Sequence, residues 1–386
     1  LLISNGVDSP KKYTSSAGVS ALGGSPPSTG KFGTSWGGRW WLFSGDTASY
    51  SAVNDAETWT GADAGSIQID RGSGDVTGVT VFMGNLFIFK RRKIFRMLPT
   101  NNLSETAVRE VSHIIGTAAH FTVAEARGGF LMFESDNGIA GAVATSSTGG
   151  FYVDNVSDRV KPLLDRRDKG QQATNWATYN EDRDEYWFQY GTATSTPSEG
   201  IICNTARGRS SLRFTRHNRA NLTAGCIYRS SGTDLQVVGN STGEIYELHS
   251  GDDWDGTNYT GRLQTSEHSQ SRLGYMKNYG RIFADFQTNG AYPLTLKTKL
   301  GRKDLPSPGG QTMTSTAGGG SDGWGVGEWG AALWGGGEQR GDYFRFTDVR
   351  RGYNCRLTFE TTGADQWFRV NGYHIEFKQR AEQVAA

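Results

Sequence analysis

The sequence predicts an all-β protein: a β-propeller of five or more blades, followed by additional C-terminal strands of β-sandwich type. Three observations predict it. Short apolar and aromatic runs bounded by Gly, Asn, Asp and Ser fill the chain, and sustained helical periodicity is nearly absent. The 386 residues include 53 glycines, about twice the usual share, with 9 prolines and no three-residue period, which excludes collagen. A tight turn leading into an apolar strand recurs every 44 to 55 residues or about that, the spacing of multi-stranded blades.

The repeat runs as follows. Gly38-Arg39 precedes Trp40-Trp41-Leu42-Phe43, and Gly84-Asn85 precedes Leu86-Phe87-Ile88-Phe89. Gly128-Gly129 precedes Phe130-Leu131-Met132-Phe133, Arg183-Asp184 precedes Glu185-Tyr186-Trp187-Phe188, and Thr233-Asp234 precedes Leu235-Gln236-Val237-Val238. A weaker strand lies upstream in most units, at Val76 to Phe82, His120 to Ala126, Gln172 to Tyr179 and Ala224 to Arg229. One blade cannot bury both its faces alone, so blades stack and their inner strands become continuously apolar. Glycine serves where hairpins reverse with positive φ. The best helix candidate is short, Ser157 to Leu164, and Pro162 limits it.

After residue 265 the pattern changes. Tyr279 to Phe286 and Leu294 to Leu300 read as a strand pair, and Tyr343 to Val349, Tyr353 to Glu360 and Trp367 to Phe377 as three more. The expected division is 1–265 for the propeller, its first blade incomplete, and 266–386 for a C-terminal β region with a Gly/Trp-rich loop at 318–337. The apolar start at Leu1-Leu2-Ile3 reads as a strand cut mid-element, so the chain is expected to be a piece of a longer polypeptide.

Charge and motifs exclude several classes. Forty basic residues against 39 acidic give a net +1, unlike a dedicated nucleic-acid binder. Cys203, Cys226 and Cys355 form no CxxC pattern, so free buried thiols are expected. No apolar run reaches the length of a membrane span. His113, His120, His217, His249, His268 and His374 show no zinc spacing, and no GxSxG elbow or phosphate loop is present. Asp252-Asp253-Trp254-Asp255-Gly256 fails as a calcium loop, because Gly251 and Arg262 occupy the ligand places at its two ends. Ser135-Asp136-Asn137-Gly138 lacks the rest of a sialidase Asp-box and reads as a hairpin turn. Neither a catalytic residue nor a cofactor or metal site is expected.

Three segments offer contact chemistry. Lys90, Arg91, Arg92 and Lys93 form one basic cluster, and Arg207, Arg209, Arg213, Arg216 and Arg219 form another without an acid between them. Each is read as a DNA-channel lining or as a solvated polar contact. Trp324, Trp329 and Trp334 recur every five residues beside glycines, a spacing that gives no single face on a helix or strand. They are read as an interface loop, with a carbohydrate platform or a tucked loop as rivals.

The order of segments resembles a known family. Ile3-Ser4-Asn5-Gly6-Val7-Asp8-Ser9-Pro10, then Arg39-Trp40-Trp41-Leu42, Tyr50-Ser51, Phe82 to Ile94, Ile115-Gly116, Gly129 to Ile139, Val156 to Val160, Tyr179 to Trp187 and Gly243 to Asp255 resemble, in that order, the β-propeller tail proteins of short-tailed bacteriophages. That family includes nozzle, tail tubular and packaged-DNA stabilisation hub proteins. The resemblance implies a virion tail protein without enzymatic activity. It would form a homo-oligomeric ring, commonly a hexamer, around the DNA exit channel, retaining packaged DNA and then releasing it. Its partners would be copies of itself, the tail adaptor, tail fibre or other tail proteins, and double-stranded DNA held transiently and non-specifically. The alternative is a receptor- or glycan-binding propeller, sialidase-like in the enzymatic case.

Overall fold

The computed structural model describes residues 1–98, 103, 108–145, 150–192, 199–217, 222–230, 232–250, 258–269, 275–288, 293–301, 312–316, 340–345, 351–363, 366 and 368–379. The chain divides into two compact units, Leu1–Leu248 and His249–Ala386.

The first unit is a series of antiparallel meanders. A three-stranded ribbon comes first (Leu2–Ile3, Lys11–Thr14, Gly18–Ala21). Blade 1 follows (Phe32–Trp36, Arg39–Ser44, Thr47–Tyr50, Gly65–Gln68), then blade 2 (Val76–Phe82, Asn85–Lys90, Ile94–Met97, Val108–Ser112). Blade 3 comprises Ala124–Ala126, Phe130–Ser135, Gly138–Ala144 and Phe151–Asn155. Blade 4 comprises Trp176–Asn180, Glu185–Tyr190, Glu199–Asn204 and Arg213–His217. Blade 5 has three strands, Leu222–Ser230, Thr233–Asn240 and Ile245–Glu247. The five repeated apolar runs of the sequence are the second strands of the five blades. Gly84 (φ +75°) and Gly232 (φ +84°) supply the left-handed turn residue, and in blade 4 Asp184 adopts it at φ +54°.

Those runs are unbroken because a blade is buried on both faces. In Asn85–Lys90, Leu86 and Ile88 pack with Trp41 and Phe43 of blade 1, while Phe87 and Phe89 pack with Leu131 and Phe133 of blade 3. The second strand of blade 3 alternates likewise: Phe130 and Met132 turn to Tyr186 and Phe188 of blade 4. Burying each such side chain stabilises by about 1.5–3 kcal/mol. Blade 4 meets blade 5 through Trp176, whose indole N–H donates to the Leu222 carbonyl at 2.9 Å and whose ring lies against Gly225. The ribbon covers the other face of blade 1, with Leu22 on Leu42 and Trp59. This series of face-to-face meander sheets is the predicted β-propeller.

The second unit is the expected β-sandwich. One sheet has the order Tyr259–Gln264, Cys355–Gly363, Pro293–Leu300, Thr312–Thr316. In the other, Lys277–Thr288 pairs with Arg340–Arg345, Arg351–Gly352 and Phe368–Gln379. Tyr279, Ile282 and Phe286 of one sheet and Leu294, Leu296, Leu357 and Phe359 of the other form a single core. Tyr259–Gln264 pairs with Cys355–Gly363, so this strand belongs to the sandwich and not to the propeller, where a division at 265 would put it.

The short helix candidate resolves into a 3-10 turn, Asp158–Val160, and one α-turn, Lys161–Leu164, with Pro162 at its start. Ser135 pairs with Gly138 across the expected hairpin. Cys203 and Cys355 are buried and Cys226 is exposed, which corrects the expectation that all three thiols are buried. Cys226 alternates with the residues that face blade 4 and therefore points away from it.

Candidate functional site: an aromatic cleft

A cleft of about 320 Å³ opens among the ribbon, the first two strands of blade 1, and His120–Phe121. Its lining includes Lys31, Phe32, Trp40, Trp41, His120 and Phe121. It is built in three steps. Phe32 alternates inward on the first strand of blade 1 and is buried. The ribbon then brings Leu2, Ile3 and Ser4 to one rim. Finally, the chain entering blade 3 curls into a 3-10 turn, His120–Thr122, where the sequence suggested extended strand.

Thr122 anchors that turn. Its hydroxyl donates to the Ala119 carbonyl at 2.7 Å and accepts the Glu134 N–H at 2.9 Å, and the Tyr186 hydroxyl donates to its carbonyl at 2.7 Å. With Thr122 drawn inward, Phe121 is turned outward and is 65% exposed. The His120 ring lies against Phe32, centroids 4.7 Å apart, and over Gly78 of blade 2, where a Cβ would meet its Nδ1 at 3.2 Å. Its Nδ1 accepts the Val79 N–H at 3.4 Å, which assigns the ring proton to Nε2. Burial pushes the His120 pKa down to about 4, so the ring is neutral at pH 7. Lys31 Nζ stands 5.3 Å from the Phe32 centroid. The cleft therefore offers aromatic faces, one cation and one neutral ring. Its lining contains no carboxylate, so it does not itself supply the acid–base pair of a glycosidase.

The residues singled out in the sequence lie elsewhere. Lys90 is buried between blade 2 and the 70–73 turn, donating to the Asp70 carbonyl at 3.0 Å and the Ser73 hydroxyl at 2.9 Å. Burial lowers its pKa, with Asp70 and Asp46 opposing. Lys93 pairs with the Asp70 carboxylate at 2.5 Å, and Arg91 and Arg92 each reach Asp136 at 3.3 Å. Lys90 and Lys93 are thus held by contacts within the chain, while the Arg91 and Arg92 side chains stay 54% and 75% exposed beside Asp136. Arg209 pairs with Asp154 at 3.4 Å and covers Tyr152, and Arg216 pairs with Glu199 at 3.1 Å, beside Arg166 at 2.8 Å. Arg207 and Arg213 are exposed. Arg219, Trp324, Trp329 and Trp334 lie outside the described residues, as does Asp252 to Asp255.

Sequence reading missed a buried ion pair. Glu134 and Arg167 meet between blades 3 and 4, both almost wholly buried. Asn175 Nδ2 and Gln172 Nε2 also donate to Glu134, at 2.9 and 3.1 Å. Burial raises the Glu134 pKa, opposed by Arg167 and both amides. No local spacing signals this pair, because its partners come from different elements. Among the described residues no group of His, Cys, Asp and Glu is placed to hold a metal ion, and no helix is long and apolar enough to cross a membrane.

No family model matches the chain, and no curated protein matches it. Among solved structures it is similar to a glycoside hydrolase family 43 arabinoxylan arabinofuranohydrolase from Bacillus subtilis, in complex with cellotetraose. That match has 9% identity and a TM-score of 0.25 and covers 96% of this chain and 91% of that one. A second, described as a glycoside hydrolase, has 10% identity and a TM-score of 0.23 and covers 96% and 90%. Both are glycoside hydrolases and neither is a tail protein. Nothing in these matches supports the expectations of a phage-tail ring subunit and of a chain without enzymatic activity, which are withdrawn, and at such scores the matches argue nothing further about what this chain does. At these scores no residue role passes from those enzymes to this chain.

Proposed function

We propose that the propeller is a carbohydrate-directed module and that the cleft beside His120 is where it receives a glycan. One observation carries this reading: an aromatic-lined cleft of about 320 Å³ with the exposed Phe121 ring at its mouth. Small-molecule sites are concave and mostly apolar, with a few placed polar groups. A sugar ring suits that mixture. Its C–H face packs on an aromatic ring, and its hydroxyls take hydrogen bonds at the rim. Phe121 and Trp40 supply ring faces, and Lys31, Ser4 and the His120 Nε2–H supply polar groups.

Titration calorimetry against a panel of neutral and acidic oligosaccharides tests this. At least one should bind, and Phe121→Ala should weaken that binding about tenfold, the loss of one stacking contact worth roughly 1.4 kcal/mol. Phe121 is exposed, so the substitution spares the fold. A panel that never binds, or binding indifferent to Phe121→Ala, sinks the proposal. Release of reducing ends in the same samples would show that the module also cleaves what it holds.

A further inference from the structure

The polar groups of the cleft are nearly all donors. Lys31 carries the one formal charge of the lining and forms no salt bridge with another described residue. The His120 ring is neutral at pH 7 and keeps its Nε2–H to donate, because Nδ1 accepts from Val79. Ser4 is the one lining residue whose side chain bears an oxygen. The Lys31 stem is seated: it crosses Gly6, where a Cβ would come within 3.1 Å of its Cβ and Cγ. Its Nζ and the His120 ring both rest on Phe32, 5.3 and 4.7 Å from that ring's centroid. One buried aromatic ring therefore brings an ammonium group and an imidazole N–H to the same wall of the cleft.

We propose that the cleft selects an acidic saccharide, whose carboxylate is taken by the Lys31 ammonium and the His120 Nε2–H. The inference rests on the carbohydrate reading of this cleft and names its ligand class. An ammonium offers three donors and no acceptor, and this imidazole has already used its acceptor on the backbone. A neutral sugar's hydroxyls need acceptors as well as donors, and Ser4 is the only lining side chain with an acceptor to spare. A carboxylate only accepts, so it meets both donors without leaving a group unpaired. Its bond to Lys31 is charge-assisted, the stronger kind. A carboxylate on the protein would repel such a ligand, and the lining has none. The exposed Phe121 ring remains available to the C–H face of the same sugar.

Titration calorimetry on the full chain with matched pairs tests this. An oligogalacturonide is set against its methyl ester, and sialyllactose against lactose, so that each pair compares an acid with a neutral counterpart and the two pairs separate uronic from sialic acid. At least one acid should bind about tenfold tighter than its counterpart, as one charge-assisted contact allows. Raising salt from about 50 to 500 mM should shrink that preference, because Lys31 is exposed and its charge is screened. Lys31→Gln should abolish the preference and leave the weaker neutral binding in place. Circular dichroism confirms that the variant is folded, which an exposed position permits. Neutral counterparts that bind as tightly as the acids overturn the inference and leave the carbohydrate reading standing. A preference that survives Lys31→Gln, or acid binding that Phe121→Ala does not weaken, overturns it too, since the carboxylate is then held elsewhere. If no saccharide of either kind binds, the carbohydrate reading falls and this inference falls with it.

Discussion

His120 is held neutral by its setting, and that setting has a pH consequence. Burial lowers its pKa in the folded chain to about 4, from an ordinary value of 6.5. Between those values the unfolded chain binds a proton that the folded chain refuses. Stability therefore falls as pH drops through 6.5 towards 4, by up to about 1.4 kcal/mol per unit. His120→Gln keeps a polar side chain of similar reach and removes the titration. Urea unfolding near pH 7 and near pH 5 should show wild type losing more stability than His120→Gln, and equal losses would refute the assignment. Glu134 is a different case. It is locked to Arg167, Asn175 and Gln172, and it ties the 157–175 segment to blade 3. Nothing in the sequence marks either role. His120 sits in a run that reads as strand, and Glu134 sits in an apolar strand as its one buried carboxylate.

At the scale of elements, legibility follows burial. Second strands such as Asn85–Lys90 are covered on both faces, so selection for packing writes an unbroken apolar run. First strands are weaker to read: Ala124–Ala126 is short, and the residues before it curl into the 3-10 turn that makes the cleft. Of the ribbon, the sequence shows the first strand at Leu1-Leu2-Ile3, while the second is obscured by Lys11 and Lys12. The cleft itself joins residues from the ribbon, blade 1 and the entry to blade 3, a gathering that only the folded topology performs. The glycine excess also separates at this scale. Gly84 occupies a left-handed turn with open space around its missing Cβ, whereas at Gly116 a Cβ would lie 2.0 Å from the Lys90 carbonyl oxygen and 2.6 Å from the Lys93 nitrogen. Backbone atoms of a paired hairpin cannot give way. Gly84→Asn should cost under about 1 kcal/mol, since Asn tolerates positive φ. Gly116→Ala should cost about 3 kcal/mol or more, as overpacking against fixed backbone does. Chemical denaturation of both variants checks the order, and a cheap Gly116→Ala would show that the hairpin yields.

At the scale of the whole molecule, each core cluster of the described residues draws on one unit. Tyr279, Leu294, Phe359 and their neighbours come only from the second unit, and the clusters around Phe43, Phe133 and Phe188 come only from the first. A cooperative transition belongs to a core, so two disjoint cores predict two calorimetric transitions. Phe359 and Phe133 are fully buried, one in each. Truncating a buried Phe to Ala costs about 3–5 kcal/mol. In units of this size each kcal/mol lowers the midpoint by roughly 2–4 °C or somewhat more. Phe359→Ala should therefore pull one transition down by about 10 °C and leave the other in place, and Phe133→Ala should do the converse. If a single transition moves with either substitution, the two units unfold as one, and stability must be assigned to the chain as a whole.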